Sequence, residues 1–336
     1  MRVLIRADAS VAIGTGHVMR CLALAQALQH GGDEVTFAAA ELPDALQDRL
    51  QGFEIKRLNG PRASLDDAAE TAALAEAKDW VVLDGYAFNH AYQQALRKEN
   101  QKLAIIDDGA NLDGYSADGL INPNLYATEA MYEEKSISRL LVGHKYAMLR
   151  REFWERTDRP AKPRSRNVLI TMGGSDPDNV TGKIIRSVKG STLENIHIRA
   201  ITGASNPYWE TLQAQAARAG HSVELLRNVE DMKEQLEWAD IAISAAGNTA
   251  LELACVGVPS LFVVLVDNQE PVARAIRKFG FGRVLGWHED VNEEAIRAGL
   301  RDLLSSSQER DRMSAWGRES VDGQGALRVA AALREP

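Results

Sequence analysis

Short apolar runs alternate with segments of helix length along most of the chain. The first half contains the runs RVLIRA, EVTFAAA, FEIKRL, DWVVLDG, KLAIIDDG and GLIN. The second half contains NVLITMGG, IHIRAITG, SVELLRN, ADIAISAAG and VPSLFVVLV, and from about residue 292 the pattern predicts helices, ending with ALRVAAALRE. Such alternation predicts strand–helix–strand crossover units and mostly parallel sheets that helices cover on both faces.

A change in composition divides this series in two. The stretch ERTDRPAKPRSR, residues 155–166, has two prolines, many charges and no apolar period, which indicates a linker. We therefore predict an α/β protein of two Rossmann-like domains, residues 1–155 and 156–336, with mostly parallel sheets facing a central cleft. The last helix is a candidate to pack back on the first domain. Ligands of open α/β sheets bind beyond the carboxyl ends of the strands, so the loops after each apolar run carry the candidate chemistry.

Composition narrows the class of protein. The 336 residues are 45% hydrophobic and 26% charged, as in soluble globular proteins. The net charge of -8 argues against non-specific nucleic-acid binding, which needs clustered Lys and Arg. Asp8 interrupts the first apolar run, which is too short for a signal peptide, and LFVVLV is too short to span a bilayer. The two cysteines fall inside predicted helices and form no CxxC pair, so we expect them to pack in the core, in a reducing compartment. From these features together we expect a cytoplasmic protein without a membrane partner.

The first loop, IGTGH, places a histidine between a strand and a helix. Gly14 and Gly16 begin a G-x-G-x-x-G pattern, but Met19 occupies the third glycine position, and the Gly-Lys-Ser/Thr ending of a P-loop is missing. The positive end of the helix disfavours a charge on His17, and a neutral histidine suits a general base. A capping or packing histidine explains the same pattern, and the loop alone does not choose between the two.

Two loops of the second half predict phosphate binding. In ITMGGSDPDN, Gly173, Gly174 and Ser175 follow a strand and precede a helix that we expect to start near Asp178. Paired glycines let backbone amides approach a phosphate closely. A plain strand-to-helix turn accounts for this loop equally well.

The second of these loops lies in ISAAGNTALELACVGVP, where Gly247, Asn248 and Thr249 open a helix. Thr249 and Glu252 fit a Thr-x-x-Glu capping box, which needs no ligand. Alternatively, the helix start faces a diphosphate while Glu252 accepts hydrogen bonds from ribose hydroxyls. The spacing does not decide between these interpretations.

Polar residues also follow several other strands. They are Asp84, Gly85 and Tyr86; Asp107 and Asp108; and Asp267, Asn268 and Gln269. One such strand end is usually a cap or a turn, whereas several in one chain favour a polar cleft. Without an HExxH motif or a Cys/His cluster we expect no metal site and no cofactor, although Asp107 and Asp108 could in principle hold Mg²⁺. No G-x-S-x-G motif supports serine hydrolase chemistry.

Taken together, these loops resemble a known family. RADASVAIGTGHVMRCLALAQAL, DGY, IDDGA, MGGSDPDN and SAAGNTALELACVGVPSLFVVLVDNQ occur in the order seen in the PseG-type UDP-sugar hydrolases. That family shares its architecture with the MurG-like, GT-B class of glycosyltransferases. The resemblance runs from the first strand to the last helix.

The resemblance implies an activity and a set of site residues. The family hydrolyses UDP-2,4-diacetamido-2,4,6-trideoxy-β-L-altropyranose to UDP and the free sugar, in pseudaminic acid biosynthesis. Its catalytic histidine corresponds to His17, its substrate-side tyrosine to Tyr86 and its strand-end asparagine to Asn268, next to Gln269. Its UDP pocket corresponds to the GGSD and AAGNTALE segments of the second domain.

Three alternatives remain from the sequence alone. A GT-B glycosyltransferase with a UDP-sugar donor shares the fold and the nucleotide loops, but the membrane-facing apolar and basic patch of MurG-like transferases has no counterpart run here. A nucleotide-sugar binding module would have little use for His17, and a UDP-sugar 2-epimerase would return an isomerised sugar. We expect a monomer whose partner is a small UDP-sugar.

Overall fold

The structure, a computed structural model, describes ten segments of the chain: residues 1–10, 12–97, 101–133, 135, 137–155, 165–174, 176–188, 196–204, 206–219 and 222–335. Most of the predicted linker, residues 156–164, lies outside them, as does the predicted site residue Ser175. The chain forms two compact units, one of Met1–Trp154 with Gly323–Pro336 and one of Glu155–Asp322. The C-terminal segment thus belongs to the first unit.

The first unit is built around a seven-stranded sheet in the order β3-β2-β1-β4-β5-β6-β7. Its strands are β1 (Arg2–Ala7), β2 (Glu34–Ala39), β3 (Glu54–Arg57), β4 (Trp80–Asp84), β5 (Lys102–Ile106), β6 (Gly119–Asn122) and β7 (Arg139–Val142). Its helices are α1 (Gly16–His30), α2 (Asp44–Gln47), α3 (Leu65–Ala75), α4 (His90–Leu96) and, from the end of the chain, α12 (Gly325–Arg334).

The core of this unit forms where the apolar sides of α1 and α12 meet the sheet. Leu24 and Leu28 of α1 pack in one buried cluster with Val329 and Leu333 of α12. The indole of Trp80 in β4 donates a hydrogen bond to the carbonyl of Leu333 at 2.9 Å, which ties the last helix to a central strand. Helix α1, which carries the candidate histidine, is therefore held on both sides by buried packing.

The register of the sheet aligns the candidate residues of this unit. Ala7 at the end of β1 pairs with Asp84 at the end of β4, and Asp84 pairs with Ile106 at the end of β5. Parallel strands place their carboxyl ends at one edge of a sheet. The loops after β1, β4 and β5 therefore begin side by side.

The second unit has a six-stranded sheet in the order β10-β9-β8-β11-β12-β13. Its strands are β8 (Asn167–Thr171), β9 (His197–Thr202), β10 (Ser222–Arg227), β11 (Ile241–Ala245), β12 (Ser260–Val264) and β13 (Gly282–Trp287). Its helices are α5 (Val180–Val188), α6 (Trp209–Ala216), α7 (Met232–Trp238), α8 (Thr249–Val256), α9 (Glu270–Phe279), α10 (Glu293–Ser305) and α11 (Ser307–Ser320).

In this unit, too, the candidate loops leave neighbouring strands. The central strands β8, β11 and β12 are adjacent, with Thr171 paired to Ser244 and Ala245 paired to Val263. The glycine pair at 173–174, the 247–249 segment and the 267–269 segment therefore start at one sheet edge. Their shared position follows from the sheet order.

Every strand pairing in the two sheets is parallel, so the prediction of an α/β fold with two mostly parallel sheets is confirmed. The eleven predicted strands are present, and β7 and β13 are additional. Along the parts of the chain that the structure describes, no helix combines the length and apolar character needed to cross a membrane.

Candidate active site

In the first unit, His17 lies in the first turn of α1 and contacts the end of β4. Its Nδ1 atom is 2.7 Å from Oδ1 of Asp84, and both side chains are buried. A histidine whose Nδ1–H is held by a carboxylate keeps Nε2 as the nitrogen able to accept a proton, which is how a carboxylate orients the base in serine proteases. This contact gives His17 a definite partner that the loop sequence alone did not predict.

Arg20, one turn further along α1, joins two carboxylates. Its Nε and Nη2 atoms lie 2.6 Å from the two oxygens of Asp84. Its Nη1 and Nη2 atoms lie 2.6 and 3.2 Å from the oxygens of Asp108, which follows β5. The planar guanidinium thus makes a two-pronged contact with each carboxylate, a geometry that lysine cannot reproduce.

Asp108 in turn holds polar side chains near the histidine. It accepts hydrogen bonds from the hydroxyl of Tyr86 at 2.8 Å and from the amide of Asn124 at 2.8 Å. Tyr126 donates its hydroxyl to the backbone carbonyl of Asp108 at 2.6 Å. Three strand ends, those of β4, β5 and β6, therefore contribute to one connected network.

The network fixes the charge of both carboxylates. Burial opposes ionisation of Asp84, but the charge of Arg20 and the hydrogen bonds from Arg20 and His17 outweigh it and hold the pKa of that carboxyl well below its usual range. Burial also opposes ionisation of Asp108, yet Arg20 lowers the pKa of that carboxyl as well. Both groups are therefore carboxylates, which can only accept hydrogen bonds, at neutral pH.

The loop that contains Gly14 leads into this helix, and Gly16 is its first residue. Gly14 has a φ of +80°, a conformation that favours glycine, and its amide donates to the carbonyl of Ser10 at 2.8 Å. Thr15 stands at the N-cap of α1 without a side-chain cap. The first turn of α1 carries no acidic residue, so His17 sits at a helix start without a competing carboxylate in that turn.

In the second unit, the glycine loop after β8 has a left-handed turn. Gly173 has a φ of +84°, with open space where a Cβ would be. A Cβ on Gly203 would lie 2.2 Å from the carbonyl oxygen of Gly174, so the two backbones approach closely and glycine is needed there. The backbone of this loop is thus exposed on one side, at Gly173, and packed on the other.

The helix after this loop starts later than expected, and side chains already cap it. Helix α5 begins at Val180, not near Asp178, because Asp176 and Asn179 both have positive φ values of 45° and 50°. The carboxylate of Asp176 accepts from the amides of Val180 and Thr181 at 2.8 and 2.9 Å. These two amides are therefore already occupied by a side chain of the protein.

After β11, helix α8 does not start at the residue that the predicted capping box requires. The N-cap of α8 is Asn248, which makes no side-chain cap, and Thr249 is already the first helical residue. Thr249 is therefore not the N-cap that the predicted Thr-x-x-Glu box requires. Gln269 lies beside this helix start, because its Nε2 atom is 3.7 Å from where a Cβ of Gly247 would be.

Gln269 is fixed in place through its other amide atom. Its Oε1 accepts a hydrogen bond from the amide of Leu265 at 2.9 Å, directly after β12. Asn268 beside it is exposed. The structure thus brings Gly247 and Gln269 together in the second unit, whereas His17 and Tyr86 meet in the first.

The described side chains form no cluster of metal ligands. Within the described segments, no group of three or more His, Cys, Asp or Glu side chains is arranged to hold a metal ion. Asp107 has protein partners: it accepts hydrogen bonds from the hydroxyl of Tyr132 at 2.6 Å and from the amide of Ala110 at 2.7 Å.

One protein family and several solved structures are similar to this chain. Residues 168–323 match the glycosyltransferase family 28 C-terminal domain. The structure of MurG from Acinetobacter baumannii superposes with a TM-score of 0.66 at 21% identity, covering 99% of each chain. The two sheets and this likeness define an α/β protein with the GT-B fold of glycosyltransferases.

Three relatives match most of the chain. An uncharacterized protein of Methanocaldococcus jannaschii is 26% identical over 80% of this chain and 56% of its own length. The UDP-2,4-diacetamido-2,4,6-trideoxy-beta-L-altropyranose hydrolase of Campylobacter jejuni is 25% identical over 84% of this chain and 98% of its own. A Helicobacter pylori protein, named as pseudaminic acid cytidylyltransferase and the same hydrolase, is 22% identical over 98% of this chain and 55% of its own.

The match thus spans only about half the length of two of these relatives. The two relatives named as this hydrolase nevertheless confirm the resemblance that the loop motifs indicate. The chain is similar to both of these hydrolase relatives along most of its length.

Proposed function

We propose that the protein hydrolyses UDP-2,4-diacetamido-2,4,6-trideoxy-β-L-altropyranose to UDP and 2,4-diacetamido-2,4,6-trideoxy-L-altrose. The observation that carries the proposal is His17, held through Nδ1 by the buried carboxylate of Asp84 at the position of the family's catalytic histidine. A base with one nitrogen oriented and the other able to take a proton is what activation of water requires.

The reaction needs little else from the protein. UDP is a good leaving group, so a placed water, a base and hydrogen-bond donors for the growing diphosphate charge suffice. His17 removes a proton from a water molecule as the oxygen of that water bonds to the anomeric carbon. The bond between that carbon and the diphosphate oxygen breaks with inversion, and its electron pair leaves with UDP.

We assign UDP binding to the second unit. The backbone of Gly173 and Gly174, together with the helix start at Gly247–Thr249, supplies amide donors for the diphosphate, with Ser175 as a further predicted contact. Glu252 is the candidate for the ribose hydroxyls. The candidates for contacts with the sugar are Gly14, Gly16, Tyr86, Asn268 and Gln269. We propose that no metal is needed, since amides and helix starts can balance the diphosphate charge.

The match to a glycosyltransferase domain supports a second candidate, transfer of the sugar from a UDP donor to an acceptor. One experiment separates the two. The protein is incubated with candidate UDP-sugars without any acceptor, with and without EDTA, and UDP and the free sugar are measured. We expect stoichiometric UDP and free sugar in both conditions. Release of UDP only after an acceptor is added would favour the transferase, and loss of activity in EDTA would contradict metal independence.

A further inference from the structure

The network around His17 contains an arginine that no motif singles out. Arg20 is buried, and its guanidinium lies between Asp84, which touches His17, and Asp108, which touches Tyr86. Both the candidate base and the candidate substrate-side tyrosine are therefore connected through one side chain. A change at Arg20 would act on both of them.

The hydrogens of Arg20 decide which tautomer His17 adopts. A guanidinium Nη2 has two hydrogens, and here one faces Oδ1 of Asp84 at 2.6 Å and the other Oδ2 of Asp108 at 3.2 Å. Nη2 is also 3.1 Å from Nδ1 of His17, so a hydrogen bond from Nη2 to that nitrogen would have to share a hydrogen with one of these two carboxylate oxygens.

The hydrogen between His17 and Asp84 must then come from the imidazole. The two atoms are 2.7 Å apart, and Asp84, surrounded by Arg20, His17 and the thiol of Cys21, is an ionised acceptor. Two lone pairs at that distance would repel each other, so Nδ1 carries the hydrogen. The Nε2 atom then has the free lone pair.

The same network prepares for the proton that the base receives. In the neutral form that a general base requires, His17 lies next to two carboxylates and one guanidinium, which together carry one net negative charge. When His17 takes a proton from water, the cluster becomes neutral without any side chain having to move. Dipoles and charges that are already in place stabilise a new charge at little reorganisation cost.

We propose that Asp84 and Arg20 are positioning residues: Asp84 fixes His17 in the Nδ1–H tautomer that makes Nε2 the base, and Arg20 holds Asp84 and Asp108 in the arrangement that allows it. This inference rests on the proposed function for its effect on turnover. Its effect on the tautomer is independent of the substrate.

The test is the substitution Asp84→Asn, which retains size and removes the charge. An asparagine can still accept from Arg20 through its oxygen, but its amide then donates to Nδ1 and forces the hydrogen of His17 onto Nε2. The tautomer is read from ¹⁵N–¹H correlation spectra of the imidazole groups at alkaline pH, with a His17→Asn sample to assign His17 among the seven histidines. We expect the Nδ1–H form in the wild type and the Nε2–H form in Asp84→Asn.

Turnover provides the second readout. Without an available base, kcat should fall by about 10²- to 10⁴-fold in Asp84→Asn. The Kd for UDP should not change, because the proposed nucleotide loops belong to the other unit. Arg20→Lys should lose less turnover than Arg20→Met, since lysine keeps the charge without the two-pronged contact. Asp118→Asn, which removes a carboxylate paired with Arg97 in the same unit, is the matched control and should leave tautomer and turnover unchanged.

The outcomes separate the inference from the proposed function. An Nε2–H tautomer in the wild type, or the same tautomer in wild type and Asp84→Asn, overturns the inference even if the UDP-sugar is hydrolysed. The expected tautomer change in a protein that hydrolyses none of the UDP-sugars supports the inference and overturns the proposed function. If Asp84→Asn has lost its cooperative thermal unfolding, the wild-type tautomer and the comparison of Arg20→Lys with Arg20→Met remain as the tests, and an Nε2–H wild type still overturns the inference.

Discussion

The rings of Tyr86 and His17 pack edge to face, with the ring centroids 4.9 Å apart and the planes at 79°. The side chain is 63% exposed, yet its hydroxyl is held by Asp108 at 2.8 Å. One side of Tyr86 thus contacts the histidine, while much of the side chain remains exposed. The ring and the hydroxyl therefore have separate roles that two substitutions can distinguish.

We predict that Tyr86→Ala lowers kcat/KM more than Tyr86→Phe does. The phenylalanine keeps the edge contact, and an edge-to-face pair contributes about 0.5–1.5 kcal/mol. It loses only the hydroxyl bond to Asp108, and a typical net hydrogen bond contributes about 0.5–1.5 kcal/mol. Steady-state kinetics with the UDP-sugar measure both variants. Equal losses in the two would show that only the hydroxyl matters.

His17→Asn should reduce kcat by about 10²- to 10⁴-fold, because the side chain that replaces the imidazole has no basic nitrogen. The affinity for UDP should stay at the wild-type value, since the loops that we assign to UDP lie in the second unit. Isothermal titration with UDP and a turnover assay test the two parts separately. Near-normal turnover in this variant would rule out His17 as the base.

How far the sequence alone predicts this site depends on the kind of signal. The strand ends at Asp84 and Asp108 are visible because each follows an apolar run, and sheet order then brings them together. Arg20 is not visible, because an arginine three residues after His17 has the pattern of a solvated helix position. Its partners lie 64 and 88 residues further along the chain, so only the folded register reveals its role.

The sequence alone does not predict strand β13 or the late start of α5, and the reasons are similar. Strand β13 is half-buried throughout and includes two glycines and an arginine, so it shows no continuous apolar run. Helix α5 starts two residues after the expected position because the positive φ values of Asp176 and Asn179 interrupt the helix. Neither conformation has a strong local sequence signal.

Acid should weaken the first unit through Asp84. The pKa of this carboxyl lies below its unfolded value, which is about 3.9 for aspartate, so its stabilisation is complete above about pH 4 and is lost as the pH falls toward the folded pKa. Thermal unfolding of wild type and Asp84→Asn should therefore differ most at neutral pH. The difference between the two melting temperatures should decrease as the pH falls below about 4. A difference that stays constant down to about pH 2 would contradict this linkage.

Asp176 should stabilise α5 without being needed for UDP. Its carboxylate caps two backbone amides, and loss of such a cap costs about 0.5–2 kcal/mol, so Asp176→Ala should lower the free energy of unfolding by that amount. Asp176→Asn keeps one acceptor and should lose less. Because we assign the diphosphate to the glycine backbone, Asp176→Asn should bind UDP no more weakly than the wild type. A folded Asp176→Asn protein with greatly reduced UDP affinity would contradict that assignment.

Hydrolysis in ¹⁸O-labelled water should place the label in the hydroxyl group of the released sugar and leave UDP unlabelled. The proposed base belongs to the first unit, whereas the proposed diphosphate donors are the glycine backbone after β8 and the start of α8 in the second. The diphosphate therefore has its own set of donors, and the base serves the other reacting atom, the anomeric carbon. Mass spectrometry of UDP and of the sugar locates the label.

Attack at phosphorus would require a different site from the one that the described residues form. It needs a nucleophile next to the diphosphate and usually a metal ion that balances the charge there. The only base we assign is His17, whose Nδ1 is held by Asp84. A free sugar exchanges its anomeric oxygen with water, so unlabelled sugar kept in labelled water for the same time is the control. Label in the β-phosphate of UDP would exclude water attack at the anomeric carbon, and the assignment of His17 would then fail even if the substrate proved correct.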